Sequence, residues 1–241
     1  MLFRSGIISG TEYFSEAFRQ VNPDVHVKAF CKDGDPVAPG DKVFTLSGNC
    51  RSILMAERVA LNILQRMSGI STLTARYVKE LQGTHTRLLD TRKTTPNFRI
   101  FEKEAVKAGG GYNHRMGLYD MIMLKDNHID FAGGVENAIR LAHEYRSGRS
   151  HPLAIEVECR SLDELEKILH TGLIDRIMLD NFTPALLSEA VKRINGRFET
   201  EASGGITLAT LRSFALTGVD FISVGALTHS YSSLDFSLRS A

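Results

Sequence analysis

The chain has 241 residues, and its 29 basic and 28 acidic side chains leave a formal net charge of +1. Hydrophobic residues make up 43% and charged residues 24%, a composition typical of a folded domain and unlike that of a disordered chain. The balanced charge provides no general field for nucleic acid or an anionic membrane, and no apolar run reaches the roughly 20 residues of a membrane helix. Three cysteines without a CxxC pair predict neither a disulfide framework nor a zinc site. We therefore expect a cytoplasmic protein that binds neither nucleic acid nor membranes.

The first 80 residues predict a small α+β domain. Residues 25–48 alternate short β-like pieces with turns built on Asp-Gly-Asp and Pro-Gly-Asp. A long amphipathic helix is predicted from Met55 to Leu81, and Gly69 is expected to bend or end its first part. The predicted division of the chain is therefore a small domain, a large domain and a C-terminal tail, at residues 1–80, 81–230 and 231–241.

The large domain alternates strand-like and helix-like segments. Its apolar strand-like runs finish at charged or small residues, namely Asp90, Lys125, Glu158, Asp180, Ser203 and Gly225. The last four of these residues are 22, 23 and 22 positions apart. Units of this size predict parallel strands joined by right-handed crossovers. An open doubly wound sheet is the alternative, but the sequence has no GxGxxG dinucleotide fingerprint. We predict an α/β barrel of the incomplete type with about six parallel strands.

Cationic residues follow the first strands of the predicted barrel, whose carboxyl ends form the mouth where such folds carry their chemistry. Arg92 and Lys93 come directly after the first strand, His114 and Arg115 follow three consecutive glycines, and Lys125 ends the next strand. Arginine forks suit planar carboxylates, while lysine acts as a point charge towards phosphate. A solvated surface pair would explain each pair alone. Five such residues at one mouth predict a site for a multiply charged anion.

Two acids, Glu158 and Asp180, end consecutive predicted strands and should lie side by side. Carboxylates facing a cationic ring suit Mg²⁺, which keeps several waters and bridges to substrate phosphates. The alternative is that these acids only balance neighbouring lysines. The last two strand ends offer backbone N–H groups of the kind that bind phosphate, at Ser203, Gly204, Gly225 and Ala226.

Several short segments together match one enzyme family. They are DTRKTTP at 90–96, GGGYNHR at 109–115, LKDNH at 124–128, LDNF at 179–182 and SGG at 203–205. These segments resemble quinolinate phosphoribosyltransferase, whose interdomain helix is similar to the stretch around Arg58 and whose tail motif is similar to VGALTHS at 224–230. The likeness runs in order from about Arg4 to Asp235.

The resemblance implies a reaction and a substrate site. Quinolinate and phosphoribosyl pyrophosphate would give nicotinate mononucleotide, pyrophosphate and CO₂, with Mg²⁺ as cofactor, in NAD biosynthesis. Arg92, His114 and Arg115 would hold the quinolinate carboxylates. Arg58 would reach the site from the other subunit of a homodimer.

The resemblance also implies the catalytic residues. Lys93 and Lys125 would face the ribose phosphates or a substrate carboxylate. Glu158 and Asp180 would serve the ribose hydroxyls and Mg²⁺. The backbones at Ser203-Gly204 and Gly225-Ala226 would bind the 5′-phosphate.

Two departures from the family pattern carry expectations of their own. Asn97 stands where the family commonly has glycine, and asparagine tolerates the left-handed conformation that such a turn needs. The chain also starts several dozen residues later than the family does, which is expected to affect dimerisation and the stability of the small domain.

Three alternative functions accompany this reading. They are a molybdenum-transport-associated paralogue, a truncated homologue that binds phosphosugar without turnover, and an aldolase that uses Lys93 or Lys125 as a Schiff-base amine. The complete set of cations favours the phosphoribosyltransferase.

Overall fold

The computed structural model describes residues 5–151 and 153–240, and the chain forms two compact units. The first unit contains residues 5–79, 93–112 and 226–240, and the second contains residues 80–92 and 113–225. The first unit therefore takes in two segments besides the predicted small domain.

The described residues form ten strands and nine helices. The strands are β1 Gly6–Ile7, β2 His26–Ala29, β3 Pro36–Val37, β4 Phe44–Ser47, β5 Arg87–Leu89, β6 Met121–Leu124, β7 Ala154–Cys159, β8 Arg176–Asp180, β9 Glu199–Ser203 and β10 Phe221–Ser223. The helices are α1 Thr11–Val21, α2 Cys50–Glu80, α3 Arg99–Ala108, α4 Asp126–Phe131, α5 Val135–Ser147, α6 Leu162–Thr171, α7 Pro184–Ile194, α8 Leu211–Ala215 and α9 Ala226–His229. None of the helices in these ranges combines the length and hydropathy needed to cross a membrane.

The first unit packs two small antiparallel sheets and a C-terminal segment against α1 and α2. The sheets pair β1 with β3 and β2 with β4. Its core joins buried apolar residues from α1, α2, β3, residues beside the other strands and the C-terminal segment, among them Phe14, Phe18, Val43, Leu61, Leu64, Leu234 and Phe236. Removing these side chains from water supplies the main favourable free energy of this unit.

Helix α2 is continuous for 31 residues and begins five residues before the predicted start at Met55. The predicted end of its first part at Gly69 is wrong. A Cβ atom added to Gly69 would lie 2.4 Å from the carbonyl oxygen of Ser232. Glycine is present because the C-terminal backbone approaches the helix closely at this point, and the helix continues without interruption.

The second unit is a six-stranded parallel sheet in the order β5-β10-β9-β8-β7-β6. Each of the six strands ends within two residues of its predicted finishing residue. Ile155 and Val157 alternate with Glu156 and Glu158 along β7. Because successive side chains of a strand point to opposite faces, the apolar residues and the acids of β7 lie on different faces of the sheet.

A single histidine shows that this sheet is rolled. The backbone N–H of His114 donates to Asp90 Oδ1 at 2.8 Å, directly after β5, and its ring Nε2 lies 2.9 Å from Glu156 Oε2 in β7. Four strand spacings separate β5 from β7, which in a flat sheet would be about 19 Å. One residue contacts both strands only because the sheet curls. The predicted incomplete α/β barrel is thereby confirmed, with β5 and β6 as its edge strands.

Asn97 occupies the left-handed region with φ 64, which confirms the expectation from its place in the turn. Replacing Asn97 with alanine should lower the free energy of unfolding by about 1 kcal/mol. Asparagine tolerates the left-handed conformation because its short polar side chain can hydrogen-bond locally, and alanine has no such side chain. Replacing Asn97 with glycine should preserve or raise that free energy. Urea unfolding followed by far-UV circular dichroism measures both changes. An equal loss in the alanine and glycine variants would show that the backbone conformation is not the cause.

Candidate active site

The carboxyl ends of neighbouring strands bring four predicted site residues together in the second unit. Lys125 follows β6 directly, and its Nζ lies 2.9 Å from Oε2 of Glu158 in β7. Asp180 ends β8 and is the register partner of Ser203, which ends β9. Adjacent strand ends therefore carry one cation, two acids and one hydroxyl.

Lys125 is held at its backbone and left accessible at its ammonium group. Its backbone N–H donates to Nδ1 of His128 at 2.9 Å. The Lys125 side chain is 46% exposed, whereas that of Glu158 is 10% exposed. The carboxylate thus orients the ammonium while leaving it open to an anion from solvent.

A tight corner after β8 positions Asp180. The next residue, Asn181, adopts a left-handed conformation with φ 58, and its N–H donates to the Ser203 carbonyl at 2.9 Å. Its amide Nδ2 donates to Asp180 Oδ2 at 2.6 Å. A Cβ on Gly204 would lie 2.2 Å from Asn181 Oδ1, so only glycine allows this approach. Sequence reasoning assigned no role to Asn181, since only its neighbour carries a charge.

Two guanidinium groups of the second unit, those of Arg92 and Arg115, influence each other electrostatically. Burial and the charge of nearby Arg92 lower the pKa of Arg115 below its usual value. The Nη1 of Arg115 also donates to the Met121 carbonyl at 3.4 Å, at the start of β6. Like charges repel each other, and a bound carboxylate or phosphate would relieve that repulsion. The pair is therefore a candidate anion site, as predicted for Arg92 and Arg115.

His114 lies inside the barrel, with only 4% of its side chain exposed. Its Nε2 faces Glu156 Oε2 at 2.9 Å and Glu201 Oε2 at 3.4 Å, and its Nδ1 accepts the backbone N–H of Arg115 at 2.6 Å. The ring thus links the second cationic pair to acids in β7 and β9. Its predicted contact with the quinolinate carboxylate stays a prediction.

The interior of the barrel is charged, a feature that was not predicted from the sequence. Glu156 and Glu201 are fully buried, and Arg176 Nη1 lies 3.4 Å from Glu201 Oε2. The available signal was spacing, because Glu156 is two residues before Glu158 in an apolar strand and must point to the same face.

The buried charges shift one another's titration. Burial beside Glu201 raises the pKa of Glu156 to about 7. Burial alone would lower the pKa of His114, but its contacts with the two carboxylates outweigh burial and raise the pKa to about 9. Protonation of Nδ1 would displace the Arg115 N–H. Two carboxylates outweigh one neutral hydrogen bond, so we take the charged ring as the favoured form near neutral pH.

His114, Glu156 and Glu201 form the one group of three metal-ligand side chains found together in the described part of the chain. Their charges are already balanced, since two carboxylates face a raised-pKa histidine and the guanidinium of Arg176. A divalent ion would add two charges to this neutral interior. We therefore interpret the group as an ion-pair network.

Glu158 and Asp180 fit Mg²⁺ by the chemistry of their donors. Both offer carboxylate oxygens, the hard ligands that this ion prefers. Among the described residues, no histidine, cysteine or further acid completes a group of three metal ligands with these two acids. Two protein ligands suit an ion that takes its other ligands from water and substrate phosphate.

Three predicted site residues belong to the first unit: Arg58, Lys93 and Ala226. Arg58 is exposed on α2, Lys93 is exposed at the start of the 93–112 segment, and Ala226 begins α9. Their predicted roles in substrate binding stay predictions. Gly225, which ends the second unit, is half-buried at the end of β10.

The fold and the charged strand ends define a class, namely an α/β-barrel enzyme with a site for a polyanionic substrate. Residues 70–239 match the family model for the quinolinate phosphoribosyl transferase C-terminal domain, and residues 3–68 match that for its N-terminal domain. The chain belongs to the quinolinate phosphoribosyltransferase family.

Individual relatives agree with the family models. The chain is 46% identical over 248 residues to the chloroplastic nicotinate-nucleotide pyrophosphorylase [carboxylating] of Arabidopsis thaliana, covering 97% of this chain and 71% of that protein. It is 44% identical over 248 residues to the mitochondrial quinolinate phosphoribosyltransferase [decarboxylating] 2b of Nicotiana tabacum, covering 97% and 70%. The crystal structure of NadC from Streptococcus pyogenes superposes with a TM-score of 0.93 at 43% identity, covering 99% of this chain and 83% of that one.

Protonation of His114 should make stability depend on pH. A folded-state pKa raised from 6.5 to about 9 gives stabilisation that is complete below pH 6.5 and is lost as the pH rises through 9. The raised pKa of Glu156 acts in the same direction at lower pH. Between pH 6.5 and values above 9, the free energy of unfolding should fall by at most about 3 kcal/mol because of His114.

Urea unfolding across this pH range, followed by circular dichroism, measures the effect. His114→Asn should flatten the dependence, while His170→Asn, at an exposed position in α6, should preserve it. Identical pH dependence in wild type and His114→Asn would exclude His114 as the titrating group.

Proposed function

We propose that this chain transfers phosphoribose from phosphoribosyl pyrophosphate to quinolinate with decarboxylation, giving nicotinate mononucleotide, pyrophosphate and CO₂. Membership in the family and the names of the similar proteins support this reaction. The observation that carries the proposal is the Lys125–Glu158 pair at the strand ends of a barrel that also carries the mutually interacting cations Arg92 and Arg115. Both reactants are polyanions, and this charge distribution favours their binding.

Substrate binding is a matter of matched charge and shape. The guanidinium groups of Arg92 and Arg115 suit the planar carboxylates of quinolinate, because a guanidinium donates two parallel N–H bonds to a carboxylate. A fixed pyridine ring would present its nitrogen to the ribose. Backbone N–H groups at Ser203-Gly204 and Gly225-Ala226 would receive the 5′-phosphate.

The acids would stabilise the reacting sugar. Departure of pyrophosphate leaves positive charge on the ribose, and Glu158 and Asp180 are placed at adjacent strand ends where negative charge can face it. Mg²⁺ held by these acids would supply charge neutralisation for the leaving pyrophosphate. Lys93 and Lys125 would add point charges toward phosphate or carboxylate oxygens.

Decarboxylation would need little further catalysis from the protein. Once the ring nitrogen carries the ribose, its positive charge stabilises the electron pair that the departing CO₂ leaves on the adjacent ring carbon, and a proton from water then replaces the lost carboxylate. Positioning of the two reactants would then be the main contribution, of the order of 7–11 kcal/mol of the barrier. Membership in the phosphoribosyltransferase family disfavours the Schiff-base aldolase.

A homodimer is part of the proposal, with Arg58 completing the partner's site. Three apolar side chains near Arg58 on α2 are more than half exposed: Leu54, Met55 and Val59. Apolar surface beside a predicted substrate ligand suits a subunit interface. We further propose a cytoplasmic location, supported by three free thiols, Cys31, Cys50 and Cys159, which suit a reducing compartment.

Incubation with quinolinate, phosphoribosyl pyrophosphate and Mg²⁺ tests the reaction, with nicotinate mononucleotide and CO₂ as the products detected. Replacing Lys125 with alanine should lower kcat by about 100-fold or more, because it removes a charge aimed at the developing negative charge. The fold should be retained, since the Lys125 side chain is half exposed.

Lys192→Ala is the matched control, at an exposed position in α7. It should retain wild-type kcat. Quinolinate binding without formation of nicotinate mononucleotide in the wild type would disprove the proposed reaction. A Lys125→Ala variant with wild-type kcat would remove Lys125 from the mechanism.

Mixing two inactive variants tests the shared site. Arg58→Ala and Lys125→Ala chains that exchange subunits should recover part of the wild-type activity, because one site of each mixed dimer contains both native residues. Activity is assayed after subunit exchange, which mass labelling of one variant verifies. Exchange without recovered activity would show that Arg58 acts within its own chain.

A further inference from the structure

The loop that carries Lys93 is held from outside at its backbone. The Lys93 carbonyl accepts the hydroxyl of Thr228 at 2.9 Å, and the Thr95 N–H donates to Glu102 Oε2 at 3.0 Å. Both Thr228 and Glu102 are buried, at 1% and 0% exposure. A loop without regular structure relies on such external bonds for a defined conformation.

Glu102 uses its second oxygen to bind an arginine of the long helix. Its Oε1 accepts from Arg66 Nε at 3.0 Å and also pairs with Nη2 of the same guanidinium. The Nη2 group also bonds to Oγ1 of Thr95. Arg66 therefore binds the side chain of Thr95, and Glu102 binds its backbone.

The guanidinium plane of Arg66 is fixed by aromatic rings. It lies 5.2 Å from the ring centroid of Phe98 and 5.1 Å from that of Tyr231. Cation–π contacts and a forked ion pair together restrict both its position and its rotation. Thus α2, α3 and the C-terminal segment all meet on the loop within two residues of Lys93.

Stability alone does not require this arrangement. A buried ion pair contributes little net stability, because desolvation of both charges offsets their attraction, and apolar residues of similar volume often serve as well. The bonds of this pair end on the backbone beside a lysine proposed to face the substrates. We propose that Arg66, Glu102 and Thr228 are positioning residues, which set the place of Lys93 for the reaction proposed above.

Arg66→Lys tests the inference, since it keeps the charge and loses the fork. It should lower kcat/KM by about 10-fold, and the kinetic parameter that changes should be the one that changes in Lys93→Ala. Arg76→Lys is the control, at an exposed position of the same helix, and should stay within about twofold of wild type.

A double-mutant cycle separates positioning from a general structural effect. In the Lys93→Ala background the effect of Arg66→Lys should shrink from about 10-fold to less than about twofold, because Arg66 acts through Lys93. Rates too slow for steady state are measured in single turnover with enzyme in excess. If Arg66→Lys and Lys93→Ala lower the rate by factors that multiply independently in the double mutant, the inference is overturned.

Thr228→Val provides the same test through a change that preserves shape. It removes the hydroxyl that binds the Lys93 carbonyl, and its effect should also disappear in the Lys93→Ala background. If Arg66→Lys fails to fold, the Thr228→Val variant tests the inference in its place. A wild-type chain without nicotinate mononucleotide formation would contradict the proposed function, whereas an active wild type with independent factors contradicts only this inference.

Discussion

The charged interior of the barrel is the constraint on which the second unit depends. Glu156 and Glu201 carry carboxylates into a space that water does not reach, and such groups are tolerated only beside opposite charge. His114 and Arg176 provide that charge. His114 contacts these acids and also Asp90 after β5, and this combination requires the sheet to be rolled.

The strand-end site inherits its geometry from this interior. His114 is followed directly by Arg115, and the His114 backbone binds Asp90, two residues before Arg92. One anchored histidine thus fixes both segments that bear the two guanidinium groups. The repulsion between those groups is sustained by the fold, and an anionic substrate would relieve it.

The first unit applies the same principle to a loop. Arg66, which is partly buried, and Glu102, which is fully buried, form an ion pair whose hydrogen bonds end on Thr95, close to Lys93. In both units, a lysine or arginine that is proposed to bind substrate lies within two residues of a residue that buried charged groups hold in place. Rigid support of this kind matters for a reaction in which holding two reactants in place supplies most of the catalysis.

Local pattern in the sequence was enough to identify the alternating strands and helices and the strand ends at Lys125, Glu158 and Asp180, while the family resemblance pointed to the turn at Asn97. Periodicity and turn chemistry operate over a few residues, so they are visible in one dimension. The sequence also carried the family motifs. Only the tertiary structure decided that Glu156 and Glu201 converge on His114, that Gly69 serves close packing, and that Arg66 and Thr228 hold the Lys93 loop. The hydrogen bond of Arg66 with Glu102 joins residues 36 positions apart, and that of Thr228 with Lys93 joins residues 135 positions apart. A buried charge finds its partner only through the folding of the whole chain.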